Sequence, residues 1–299
     1  MKVLATRRYP GASFDELRDV EIAPLASITT PRPDCEGLIV ANEPVPLELF
    51  PSLRLVANFG VGTDRIDIAA CASRGAAVTN TPGVLDAATA DLTLALILAV
   101  RRRLVEGDRL VRQNRWRGSW ADGFLGRDLA ASTLGIIGLG RIGSAVARRA
   151  AAFGMRVLYT QRTRRGAELG EFRELDRLLR ESDIVTIHAP RTAQTEGLLD
   201  RRRLSLLCGG AALVNTARGE IVDEAALVDE LVAGRISAGL DVFAYEPNVP
   251  SALLELPNVV LTPHIGSATV ETRSAMTRLV VDNVHAAERG EPLLTPVVR

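Results

Sequence analysis

The chain has 299 residues, 47% of them apolar and 24% charged, a composition that excludes a disordered or low-complexity protein. Its formal charge is zero and its pI near 6.9, so it has no long-range field to gather nucleic acid or an anionic membrane. The longest apolar run, Leu92 to Val100, is too short to span a bilayer, and the N-terminal stretch MKVLATRRYPG is too polar for a signal peptide.

At roughly 100–200 residues per domain, the length predicts two lobes. In the first, Val3 to Ala5, Gly37 to Val40, Leu53 to Phe59 and Ala77 to Thr79 read as strands, punctuated by Pro31, Pro33 and Pro44. Asp86 to Gln113 reads as one long helix, with Leu92, Leu96, Ala99 and Leu104 at helical spacing and no proline inside. Trp116 and Trp120 follow it.

Strand and helix then alternate. Strands are expected at Thr133 to Ile137, Arg156 to Thr160, Ile184 to His188, Ala211 to Asn215, Ser237 to Asp241 and Val259 to Thr262. Helices are expected up to Phe153, around Leu175, from Glu224, and from Thr269 to Arg289. This alternation predicts an α/β fold with a parallel, doubly wound sheet, and the last helix is expected to return to the first lobe. Cys35, Cys71 and Cys208 are odd in number, widely spaced and without histidines at metal-ligand spacing. They predict reduced thiols, no metal site and a cytoplasmic location.

Between the strand ending at Ile137 and the next helix lies Gly138-Leu139-Gly140-Arg141-Ile142-Gly143. Gly138 permits the tight turn, Gly140 lets a pyrophosphate approach bare backbone, and Gly143 lets helix pack against strand. The helix N-terminus then offers N–H groups and a favourable dipole to phosphate. An acid closing the second strand would bind the ribose hydroxyls of NAD, but here the strand ends at Gln161, followed by Arg162, Thr163, Arg164 and Arg165. Arginines in place of a carboxylate favour a 2′-phosphate, so NADP is the expected cofactor, with NAD as the alternative and a solvated basic loop as the bland reading.

Polar residues recur at the ends of later strands, where an open α/β sheet binds its ligands. They lie in Asn215 to Gly219, Asp241 to Pro247 and Thr262 to Ser267. Reducing a 2-oxo acid needs a fixed cation for the carboxylate and the polarised carbonyl, which Arg218 can supply. It also needs a proton donor near neutral pH, which His264 can supply. Glu246 would hold the other ring nitrogen and favour the charged imidazole. Singly, each could equally be a surface or turn residue.

These residues, with Phe59 to Asp67, Asn80 to Leu85, Thr89 to Thr93 and Pro263 to Thr269, resemble the D-isomer-specific 2-hydroxyacid dehydrogenase family over nearly the whole chain, and within it the glyoxylate/hydroxypyruvate reductases. The resemblance implies Arg218, Glu246 and His264 as the catalytic triad. It implies two Rossmann-like doubly wound domains with an active-site cleft between them: a discontinuous substrate-binding domain, 1–97 and 269–299, and a dinucleotide-binding domain, 98–268. The backbone N–H groups of Val61 and Gly62 would hold the substrate carboxylate, with Arg218 and Ser267 beside it. Arg141 and Ile142 would lie under the pyrophosphate, Ala217 and Asp241 near the nicotinamide amide, and Thr89, Pro190, Thr195, Thr216 and Gly266 along the cofactor. A homodimer is implied, with Trp116 or Trp120 reaching a neighbouring subunit or packing in its own lobe. Substrates left open are 2-ketogluconate, 3-phosphoglycerate and phosphite, with formate disfavoured by Glu246. A second class of reading is a dinucleotide-sensing binding protein without turnover.

Overall fold

Short β-branched and aliphatic runs become strands, and in chain order the computed structural model begins with β1 (Val3–Ala5), β2 (Val20–Ile22), β3 (Gly37–Val40), β4 (Leu55–Asn58), α1 (Ile68–Ser73) and β5 (Ala77–Thr79). Next come α2 (Asp86–Arg101), α3 (Leu104–Arg112), β6 (Thr133–Ile137), α4 (Arg141–Ala152), β7 (Arg156–Thr160), β8 (Glu171–Phe172) and α5 (Leu175–Glu181). The chain continues through β9 (Ile184–Ile187), α6 (Arg201–Leu204), β10 (Ala212–Asn215), α7 (Glu224–Val232), β11 (Ser237–Leu240), α8 (Ser251–Leu254), β12 (Val259–Leu261) and α9 (Val270–Arg289). The structure describes residues 1–118, 123–164 and 168–297; Trp120 and Arg165, singled out above, lie outside them.

Two compact units form: Met1–Asp86 with Ser267–Arg299, and Ala87–Gly266. The helix that the sequence reading divides at residue 97 lies within the second unit from Ala87 onward.

The first unit holds a five-stranded parallel sheet in the order β2-β1-β3-β4-β5. Side chains alternate across it, as the strand period of two requires. Leu4, Leu38, Val40, Val56 and Val78 pack with Ile68 and Cys71 of α1 on one face. Val3, Ala5, Ile39, Leu55 and Ala57 meet Val280, Val281 and Val284 of α9 on the other. Helix α9 starts at Thr269, whose hydroxyl caps the Thr272 N–H, and stops at Gly290 in the left-handed region, φ +67°. The Thr277 hydroxyl of α9 bonds the Pro10 carbonyl.

The second unit holds a seven-stranded sheet, β12-β11-β10-β9-β6-β7-β8, parallel throughout. Leu134 and Ile136 of β6 face α2 and α4. Ile137, Val185, Ile187 and Leu213 face α5, α6 and α7. The strand order reverses between β6 and β9, and such a switch point is where an open α/β sheet leaves its binding crevice. The single long helix expected from Asp86 to Gln113 is two helices, because Arg103 adopts φ +53°. Its guanidinium holds that bend by pairing with Glu106, donating to the Gly123 carbonyl at 3.0 Å and lying 4.3 Å from the Phe124 ring centre.

Candidate active site

The glycine turn after β6 is shaped by what a side chain would strike. Gly138 has φ +96°, and a Cβ there would lie 2.8 Å from the His188 carbonyl carbon. A Cβ on Gly143 would lie 2.1 Å from the Gly138 oxygen. Gly140 is different: nothing comes within 4 Å of its Cβ position, so its bare backbone fronts open space at the start of α4. No side chain caps that helix, and the first N–H of the turn to fold back is that of Ser144, on the Gly140 carbonyl at 2.8 Å. The groups before it, from Arg141, Ile142 and Gly143, are those a phosphate uses at a helix N-terminus. The cradle therefore fits a dinucleotide.

Beyond β7, Gln161 is half-buried and Arg162 and Thr163 are exposed. Arg164 is drawn aside, 4.2 Å over the Phe172 ring and 3.9 Å from Glu174. Among the described residues, Arg162 has no hydrogen-bond or ion-pair partner. In the loop after β9, the Thr195 hydroxyl donates to the Pro190 carbonyl at 2.6 Å and so closes a turn around those two candidates.

Arg218, Glu246 and His264 all sit in the second unit. After β10, buried Asn215 clamps the turn by accepting from the Ala217 N–H (3.0 Å) and donating to the Arg218 carbonyl (2.8 Å). Gly219 follows because its Cβ would fall 2.0 Å from the Phe243 carbonyl carbon. The Arg218 Nη1 donates to the Ala217 carbonyl at 2.7 Å.

Glu246 places one oxygen 3.1 Å from the Phe243 N–H and the other 2.8 Å from His264 Nδ1. Burial raises the Glu246 carboxyl, but the His264 bond and charge, with a smaller contribution from Arg218, outweigh it and leave the group below its ordinary value. His264 is at φ +53°, its N–H bonded to the Asp241 carbonyl, and its side chain remains 49% exposed. The ring thus has one nitrogen tied to a carboxylate and is open enough to meet a ligand. His188 is its opposite: burial pushes that ring down to about 3, so it stays neutral, 3.0 Å from the Thr186 hydroxyl.

Asp241 is fully buried, and burial raises its carboxyl. It accepts from the Thr262 hydroxyl (2.6 Å) and from the N–H groups of Ile265 and Gly266 (2.8 Å each). It therefore shapes the loop that carries His264. Gly266 lies against it and against Thr89, 3.3 and 3.5 Å from a Cβ position.

In the first unit, the amide of Asn58 donates to the carbonyls of Gly60 and Gly62, and that of Asn80 to the Val61 carbonyl. With the carbonyls so held, the N–H groups of Val61 and Gly62 bond no acceptor among the described residues. Two such donors in one turn are chemically suited to an anion. Ser267 belongs to this unit and accepts the Thr269 N–H at 2.9 Å. The sequence reading passed over Asn58 and gave Asn80 and Asn215 no role of their own within the segments it singled out; an asparagine closing a strand before a glycine-bearing turn was the available signal for Asn58 and Asn215.

Residues 94–266 match the model of the D-isomer specific 2-hydroxyacid dehydrogenase NAD-binding domain. The chain belongs to this family. It is 48% identical, over 86% of its length and 81% of the relative's, to the glyoxylate reductase of Korarchaeum cryptofilum. It is 46% identical to that of Pyrococcus horikoshii, over 97% of this chain and 93% of the relative. Among solved structures, the NADPH-dependent glyoxylate/hydroxypyruvate reductase of Sinorhizobium meliloti, in complex with NADP and malonate, superposes with a TM-score of 0.90 at 40% identity, covering 99% and 96% of the two chains. Membership makes the chain an NAD(P)-dependent oxidoreductase that uses a nicotinamide dinucleotide. Among the described residues no helix is long and apolar enough to cross a membrane, and no group of histidine, cysteine and acidic residues could hold a metal.

Proposed function

We propose that this protein reduces glyoxylate or hydroxypyruvate with NADPH, the dinucleotide supplying the hydride. The observation that carries this reading is the 2.8 Å His264–Glu246 pair, with Arg218 close enough to lower the same carboxylate, in the unit that holds the glycine turn. Arg218 binds the carboxylate and polarises the oxo group. His264, held at Nδ1 by Glu246, gives its proton to the oxygen that becomes the hydroxyl. The Val61 and Gly62 N–H groups and Ser267 serve the substrate carboxylate. Met1–Asp86 with Ser267–Arg299 is accordingly the substrate-binding domain, and Ala87–Gly266 the dinucleotide domain.

Gly138 to Gly143 take the pyrophosphate, with Pro190, Thr195, Ala217, Asp241, Gly266 and Thr89 along the rest of the cofactor. Arg162, exposed and without an internal partner, takes the 2′-phosphate, with Gln161, Thr163 and Arg164 around it; this is the basis for NADP over NAD. Support for the substrate comes from the relatives named above. A homodimer is proposed through α3, no residue of which is buried: Leu104 is 55% exposed, Val111 59% and Trp116, just beyond, 56%. Three free cysteines suit a reducing compartment, and we place the enzyme in the cytoplasm.

Initial rates with NADPH and NADH against glyoxylate, hydroxypyruvate, pyruvate and 2-ketogluconate test the reading. Highest kcat/KM with NADPH and either of the first two is the expected result. Tight dinucleotide binding with no turnover on any of the four would replace the reductase reading by a sensor.

A further inference from the structure

The strands β6, β9, β10 and β11 all begin at one edge of the second unit, opposite the glycine turn and the proposed triad. Helix α2 ends toward this edge in Arg101, which is only 7% exposed. Its Nε is sealed from solvent and has no hydrogen-bond partner. The other two guanidinium nitrogens bond nothing among the described residues either, but they are not sealed. An arginine does not shed its proton in a protein, so a buried cation stands here without a counter-ion. Burial and the nearby Arg127 both act against its charge, and Asp183 offsets them only in part.

Arg127 is held beside it by the backbone. Its N–H bonds the Arg101 carbonyl at 2.8 Å, and a Cβ on the preceding Gly126 would lie 2.7 Å from the same oxygen, so this segment is pressed onto the end of α2. The Arg127 Nη2 lies 2.8 Å from the Cβ position of Gly210, whose φ of +78° turns the chain toward β10. Like Arg101, Arg127 has no hydrogen-bond or ion-pair partner for its side chain among the described residues. Asp183 is exposed, accepts the Thr133 N–H at 2.8 Å and pairs with neither arginine among those residues. Other arginines of this unit are matched: Arg103 with Glu106, Arg156 with Glu171 and, just before β11, Arg235 with Glu230.

We propose that Arg101 and Arg127 form a binding site for inorganic phosphate, at the opposite edge of the sheet from the residues proposed for catalysis. Two planar forks from separate segments offer more donors than the two oxygens of one carboxylate can take, and a tetrahedral oxyanion accepts from both. The bound anion ties the end of α2 to the segments entering β6 and β10. Its effect is therefore on the stability of this unit and not on the chemistry at the far edge.

Calorimetry and thermal unfolding of the full chain test this, with inorganic phosphate titrated against chloride at constant ionic strength and saturating NADPH present to fill the dinucleotide site. The melting temperature of the wild type rises with the logarithm of phosphate concentration, as binding to the folded state requires. Arg127→Ala, a change at an exposed side chain, weakens phosphate about tenfold or more, and Arg101→Met does the same. In phosphate-free buffer Arg101→Met melts above the wild type, because a buried unpaired charge has been replaced by an apolar chain. The proposal is overturned by a phosphate response equal in the wild type and both variants, which would place the anion elsewhere or make it a general salt effect. It is also overturned by a wild type that does not respond to phosphate. If such a wild type is a dimer that either variant converts to a monomer in light scattering, the two arginines serve a carboxylate of a second copy instead.

Discussion

His264 shows how much of a candidate acid is set by its neighbour. Its ring holds the Glu246 carboxylate at 2.8 Å, and the attraction keeps that carboxyl below its ordinary value despite burial. A depressed carboxyl contributes stability that is fully present above its unfolded value and is lost as pH falls through its folded one. Acid titration of the folded protein should therefore show the pair breaking below the usual carboxylate range, and kcat falling with it. His264→Gln should lower kcat about 10²–10⁴-fold, and Glu246→Gln about 10–100-fold, in stopped-flow or steady-state rates. A Glu246→Gln variant with wild-type kcat at every pH would remove the carboxylate from the mechanism. Arg162→Ala tests the basic loop after β7: KM for NADPH should rise about 10–100-fold with NADH kinetics little changed. Equal losses for both coenzymes would mean that the arginine does not read the 2′-phosphate.

At the scale of elements, turns matter more than the helices and strands they join. Gly219 is wedged against the Phe243 carbonyl carbon, 2.0 Å from where a Cβ would stand. Gly219→Ala should cost about 1–3 kcal/mol or more in thermal unfolding and shift Arg218 out of place. An unchanged melting temperature together with unchanged kinetics would show that the turn is slack. Which elements were legible follows from the same physics. Strands such as Ile184–Ile187 and Ala212–Asn215 are buried on both faces and read as apolar runs. The edge strands Val20–Ile22 and Glu171–Phe172 are short, only partly buried and interrupted by charge, so no run announces them. The break at Arg103 carries no glycine or proline; contacts with Glu106, Gly123 and Phe124 override local propensity. The residues proposed for the triad and the glycine turn could be picked out in the sequence because the chemistry proposed for them demands particular residue types at strand ends. The Arg101–Arg127 pair could not, since residues 101 and 127 meet only once the segment before β6 has packed onto the end of α2.

For the whole molecule, surface and chain order carry the remaining consequences. The outward apolar residues of α3 give a direct test of assembly: Leu104→Glu with Val111→Glu should convert a dimer to a monomer in light scattering, without loss of helix content. A wild type already monomeric at micromolar concentration would end the dimer proposal. The cover of the first sheet has a different implication, one for synthesis. Val3, Ala5, Ile39, Leu55 and Ala57 leave the ribosome early, yet their packing partners Val280, Val281 and Val284 come from the last helix. All of Ala87–Gly266 must be translated in between, which at about 5–20 residues per second takes on the order of ten to forty seconds. During that interval one face of a parallel sheet stays wet and adhesive, while the unit encoded in the middle can already close. Nascent chains stalled after Gly266 should therefore bind hydrophobic-surface chaperones through their first eighty-odd residues and release them once α9 has emerged.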